Sequence, residues 1–135
     1  QKEIREGVAA LPNRPHVLLV HNHRVAEQLG GVAPVILYGH NHRPSVRRTP
    51  RSTFINAGTT GGAGARYFEA RNGVPYSAVV LHFSREEPGH LLAADLLQVH
   101  GPEGEFVLQR HMLNGTMNRE KHLLPAPPPA HAGQP

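Results

Sequence analysis

Apolar residues fall into two different rhythms along this chain. Over residues 1–11, Ile4, Val8 and Leu11 recur at helical spacing among Lys2, Glu3, Arg5 and Glu6, which predicts a short amphipathic helix. Pro12 and Pro15 bracket the turn that ends it. Residues 16–20 (His-Val-Leu-Leu-Val) and 34–38 (Pro-Val-Ile-Leu-Tyr) are continuous apolar runs, the pattern of strands covered on both faces in an α/β sheet. Between them, residues 23–29 are predicted helical, with Gly30-Gly31 as the stop. From residue 43 onward the pieces are β-leaning: 46–48, 53–56, 76–84, 91–99 and 105–110. Turn signals at Asn72-Gly73, Pro88-Gly89 and Gly101-Pro102 separate the last of these, and this second part reads as antiparallel sheet. A glycine-rich loop, residues 58–64, joins the parts. Residues 123–135 are almost entirely Pro, Ala, His and Gly, so a disordered tail is expected after one domain spanning 1–122.

Composition narrows the chemistry. The 135 residues are enough for one small domain, and no apolar run reaches the length of a membrane span. With no cysteine, disulfides, thiolate metal sites and cysteine nucleophiles are excluded. Cysteine absence fits a reducing compartment, so a cytoplasmic location is favoured; membrane association would need an anchor in an upstream segment. The chain begins at Gln1 rather than Met, as a processed or truncated product would. Its formal charge is +4, histidine occurs 11 times, and Asp95 is the only aspartate. Arg43, Arg47, Arg48, Arg51, Arg66 and Arg71 fall in a stretch whose only acid is Glu69. Such a stretch attracts anions, phosphates included, although a solvated arginine-rich loop has the same composition.

The histidines sit where ligands gather. Val17–Arg24 and Val35–Arg43 echo each other: each is an apolar strand that ends in a histidine cluster. In open α/β sheets, ligands collect at the carboxyl ends of the strands, and neutral imidazole is the commonest side-chain metal ligand. His21, His40 and His42 occupy that end of two predicted strands. A lone histidine is usually a hydrogen-bonded loop residue; three at adjacent strand ends reverse that preference. His23 is a competitor to His21. In an extended segment His40 and His42 would point the same way, whereas in a tight turn they could reach two neighbouring metals.

The order His21, then Gly39-His40-Asn41-His42, then Asn56-Ala57-Gly58-Thr59 resembles the C-terminal half of the calcineurin-like metallophosphoesterases over about residues 1–110. The resemblance implies an α/β fold: part of an αββα β-sandwich with mixed strands and short helices. It implies two divalent metal ions (Mn, Fe, Zn or Ni), with His21 and His40 on one and His42 on the other. It also implies a phosphoester substrate, hydrolysed by a metal-activated hydroxide attacking in line with the leaving oxygen. Arg43 and Arg66 flank the motifs and are candidate substrate-binding residues. The family's Asp-x-His, Gly-Asp and Gly-Asn-His motifs are absent from this chain. A missing N-terminal half of the same domain is therefore the expected partner, and the chain alone is expected to be inactive, with no catalytic residue of its own. Asp95 is expected to face solvent or a turn. The loop 58–64 lacks the Lys-Ser/Thr ending of a P-loop and reads as a tight turn ahead of a phosphate cradle.

Two other readings stand beside this one. A non-catalytic metal-binding fragment accounts for the missing carboxylates. A basic nucleic-acid-binding or nuclease module accounts for the arginines and the two His-Asn-His triplets, but it is not favoured. The triplets do not match the spread-out nuclease motif, and four Phe and three Tyr give little aromatic surface for stacking.

Overall fold

A computed structural model describes residues 2–60, 75–100 and 104–113, and the backbone of 119–123. The elements are α1 (Lys2–Ala9), β1 (Val17–Val20), α2 (His23–Gln28), β2 (Val35–Tyr38), β3 (Ser45–Arg48), β4 (Thr53–Asn56), β5 (Tyr76–Phe83), β6 (Leu91–His100), β7 (Glu105–Met112) and β8 (Arg119–Leu123). They build a mixed α/β architecture with two four-stranded sheets, ordered β1-β2-β4-β3 and β5-β6-β7-β8. Arg66, Arg71, the Asn72-Gly73 and Gly101-Pro102 turns, most of the 58–64 loop and the tail beyond Leu123 lie outside the described residues.

Alternation along the first sheet divides its side chains between two cores. Val35, Leu37, Val17, Ile55 and Val46 point toward the second sheet and pack with Leu91, Ala94, Val79 and Leu81. Ile36, Phe54, Leu18, Val20 and Tyr38 point the other way, against Ala26 and Leu29 of the α2 region. The described layers are therefore helix, sheet, sheet; among the described residues no helix covers the outer face of β5–β8. Ile36 and Leu29 are fully buried, and each such side chain stabilises the fold by roughly 1.5–3 kcal/mol.

α2 begins where the sequence allows a cap. Asn22 is in extended conformation and its side chain accepts from the backbone N–H of Arg24 at 2.9 Å. Leu29 closes the other end, and Gly31 turns the chain with φ +88°, a region that suits glycine. The Gly31 N–H donates to Ser52 Oγ at 2.9 Å, and that hydroxyl donates to Ala33 O at 2.6 Å. Buried Ser52 thus ties the end of α2 to the β3–β4 turn. α1 buries none of its residues. No helix among the described residues is long and apolar enough to cross a membrane.

Two expectations need correction. β3 and β4 do not belong to an antiparallel second part: β4 pairs parallel to β2 in the first sheet, and β3 pairs antiparallel to β4. All four residues of β4 are buried, as a strand flanked on both sides and covered on both faces must be. The antiparallel reading holds for β5–β8. Asp95 does not face solvent or a turn. It is 6% exposed, in the middle of β6, between β5 and β7.

Burial of a carboxylate demands partners. Arg110, directly opposite on β7, donates Nε to Oδ1 at 2.6 Å and Nη2 to Oδ2 at 2.7 Å, a two-point fork. His82 Nε2 lies 2.8 Å from Oδ2. The Arg110 hydrogen bonds, reinforced by His82 and opposed by desolvation, lower the Asp95 pKa from 3.8 to about 2. A carboxyl whose folded pKa is depressed contributes stability above its unfolded pKa, and this is lost as pH falls through the folded value. The contribution is bounded at about 2–3 kcal/mol, less whatever screening the half-exposed partners admit. Urea unfolding at successive pH values should show stability falling between about pH 4 and pH 2, and Asp95→Asn should flatten that slope. An unchanged slope in the variant would show that other carboxyls carry the acid sensitivity.

Candidate metal centre

Three parallel strands open onto one edge of the sheet. Val20 is in register with Tyr38, and Tyr38 with Asn56, so the segments after β1, β2 and β4 emerge side by side. They carry His21, Gly39-His40-Asn41-His42 and Asn56. The Gly39 N–H donates to His21 O at 3.1 Å, which ties the two histidine-bearing ends together at the backbone.

The segment 39–42 is a tight turn rather than a continued strand. His40 and His42 adopt φ values of 75° and 56°, the left-handed region that residues with a Cβ seldom enter. Asn41, between them, holds the turn: its Oδ1 accepts from the Arg43 N–H at 3.2 Å and from Asn56 Nδ2. Asn56 is fully buried, and its own Oδ1 accepts from the Gly58 N–H at 2.9 Å. Beyond Gly58, the Thr59 N–H donates to Ser77 Oγ at 3.1 Å, and the Ser77 N–H donates to Thr59 O at 2.7 Å. The loop is thereby fastened to β5 of the other sheet.

Within this frame His21 and His40 meet. His21 Nε2 and His40 Nδ1 are 3.2 Å apart, with the rings edge-on at 76° and centroids 5.1 Å apart. Both residues are exposed. The His23 ring stacks on that of His40 at 6.2 Å and 18°. His42 is half-buried and stands outside this group: among the described residues no hydrogen bond or ring contact joins it to the other three. The Nδ1 atoms of His23 and His42 are buried without a hydrogen-bond partner. His23, weighed in the sequence only as a competitor to His21, is in contact with the cluster, and the His-Asn-His repeat was its one signal.

The donor set can be tested against a metal. Two imidazole nitrogens on one ion, at bonds of about 2.0–2.1 Å, lie roughly 2.9–3.4 Å apart for right-angled to tetrahedral ligands. The His21–His40 separation of 3.2 Å falls inside that interval. Without a metal, the same contact needs one nitrogen to donate and the other to accept. No carboxylate joins the cluster, and among the described residues no group of three or more His, Asp or Glu side chains is arranged to hold a metal. These residues fit part of a site. Of the two arginines expected to bind substrate, Arg43 is exposed beside His42, and Arg66 lies outside the described residues.

No family model and no curated protein matches the chain. Two solved structures are similar to it. One is a single mutant of Vps29 from Entamoeba histolytica: 16% identity, TM-score 0.46, 67% of this chain and 44% of that one covered. The other is Vacuolar Protein Sorting 29 from Cryptosporidium parvum: 21% identity, TM-score 0.26, 73% and 40% covered. The chain therefore spans less than half the length of either.

Asn56→Ala should leave the Gly58 N–H unpaired and release Asn41, at a cost of about 1–3 kcal/mol. Gly58→Ala should also destabilise, because a Cβ at φ +80° would collide with Ser77 Oγ and crowd Pro44. Urea midpoints for the two variants, with histidine proton shifts as a local readout, check both. Native midpoints with undisturbed histidine signals would mean that the loop does not depend on these bonds.

Proposed function

We propose that this chain is the histidine-bearing half of a calcineurin-like metallophosphoesterase-type site and that, by itself, it binds a divalent metal without catalysis. The observation that carries this reading is the 3.2 Å approach of His21 Nε2 and His40 Nδ1 at the ends of two adjacent parallel strands. The buried, unpaired Nδ1 of His42 supports a further coordinating role for that residue. The lack of carboxylates weighs against catalysis. Two dications about 3.5–4 Å apart repel strongly, and a shared anion ordinarily holds them. Asp95, committed to Arg110 and His82, cannot serve.

The remaining ligands would come from another segment, either upstream in the same domain or in a partner. β1 offers the place for it. Among the described residues β1 pairs only with β2, and Leu19, which alternates onto the inter-sheet side, is 77% exposed. A strand added there would cover Leu19 and bring its carboxyl end beside His21.

A second reading, phosphoester hydrolysis by the completed protein, is favoured by Arg43, which follows the histidine turn directly and is exposed to hold a phosphate. A bound metal would supply charge neutralisation and water activation in that case. In this chain His21 and His40 would position the metal, Asn41 and Asn56 would hold the turn, and Arg43 would orient the phosphoryl group.

His21→Ala, His40→Ala and His42→Ala together should abolish metal uptake by elemental analysis, whereas His23→Ala should reduce it far less. Unchanged metal content in the triple variant would refute the assignment, and equal loss on His23→Ala would shift it from His21 to His23. With Mn²⁺ or Zn²⁺ added, the 135-residue chain should not hydrolyse a generic aryl phosphate mono- or diester. Robust turnover that disappears with His40→Ala would instead establish catalysis with the residues present.

A further inference from the structure

The arginine-rich segment lands on the edge of the first sheet away from β1. β3 ends the order β1-β2-β4-β3, and among the described residues it pairs only with β4. No described residue pairs with the other side of its backbone, which offers that side to an added strand. Arg47 and Arg48, both exposed, alternate to opposite faces of this edge.

Beside the edge runs a groove of about 470 Å³, lined by Arg47, Thr49, Arg51, Glu27 and Phe54 among others. The Arg47 guanidinium lies over the Phe54 ring, 4.5 Å from its centroid, and reaches Glu27 at 3.3 Å. Its freedom is already restricted, so fixing it against a ligand costs less than fixing a free side chain. From Arg43 to Ser52 the chain has four arginines and no acid, and among the described residues Glu27 is the one acid lining the groove. Charged residues on an edge strand guard against unwanted pairing. Arginines repel a basic strand, whereas they attract an acidic one.

We propose that the β3 edge and the adjoining groove dock an extended acidic segment of a partner protein. The segment adds as a fifth strand, with carboxylates facing Arg47 and Arg51 on the groove side and Arg48 on the other. A peptide fits this surface better than a nucleic acid. Stacking a base needs an open aromatic face, and Phe54 is 3% exposed beneath Arg47.

The test uses the full 135-residue chain and a fluorescein-labelled peptide of repeated Glu-Glu-Val, whose glutamates reach both faces of an extended strand, read by anisotropy. Binding should weaken with salt, and amide shifts should be confined to β3 and the turn after it. Arg48→Glu and Arg51→Glu should each weaken binding about tenfold or more, whereas Arg14→Glu should leave it unchanged. Both variants keep the Arg47–Phe54 contact, so loss of fold is not the expected cause, and unchanged unfolding midpoints check this. N-methylation of the peptide at alternate residues should abolish binding in one set and spare it in the other, because only every second N–H faces the edge. Equal tolerance of both sets would reduce the effect to diffuse charge attraction and overturn the proposal. So would tighter binding of a single-stranded oligonucleotide at the same arginines, or no peptide binding at about 1 mM.

Discussion

A carboxamide with no exposed surface must pair both of its ends inside the protein, and Asn56 pairs them with two different loops. Its nitrogen reaches Asn41, which lies between two histidines held at positive φ. Its oxygen fixes Gly58, next to the Thr59–Ser77 bonds that bind the first sheet to the second. Left-handed backbone at a residue with a Cβ costs on the order of 1–3 kcal/mol and persists only where its surroundings impose it. Asn56 and Asn41 are those surroundings. The His21–His40 approach follows from them: with the turn relaxed, His40 would continue the strand direction and leave His21.

Element positions were readable because burial leaves a pattern. Val-Leu-Leu-Val and Val-Ile-Leu-Tyr are apolar at every position, and both became strands that pack side chains on two faces, although Leu19 of the first is left exposed. The sheet assignment of β3 and β4 was not readable. Thr-Phe-Ile-Asn is too short to show a period, and nothing in four residues distinguishes a parallel neighbour from an antiparallel one. What decided it was the length of the β2–β4 connection, which the β3 hairpin fills, and the space beside β2 for a strand with no exposed face.

Asp95 shows a different limit. Its partners stand 13 residues before it and 15 after it, a relation invisible until the registers of β5, β6 and β7 are known. The local sequence did hold a clue. Leu-Leu-Ala-Ala-Asp-Leu-Leu is apolar on both faces of a strand, and an acid inside such a run is buried unless the strand is at an edge. A buried acid needs a cation, and the chain has basic residues in both neighbouring strands. The expectation of exposure overlooked this.

The distribution of charge between the two sheets sets what the histidine cluster can hold. Every candidate ligand on the first sheet is neutral or cationic, and the one aspartate lies on β6 of the second, engaged with a guanidinium. A dication placed between His21 and His40 would gain two nitrogen ligands but no charge compensation, on a chain that already carries +4. Imidazole binds by its lone pair and leaves the ion's charge intact, so bringing a second ion nearby would meet nearly full repulsion. Occupancy of two positions therefore depends on anions delivered from outside these residues. Among the described residues β1 has no second neighbour and Leu19 is uncovered beside His21, so that edge is where a strand end could deliver them.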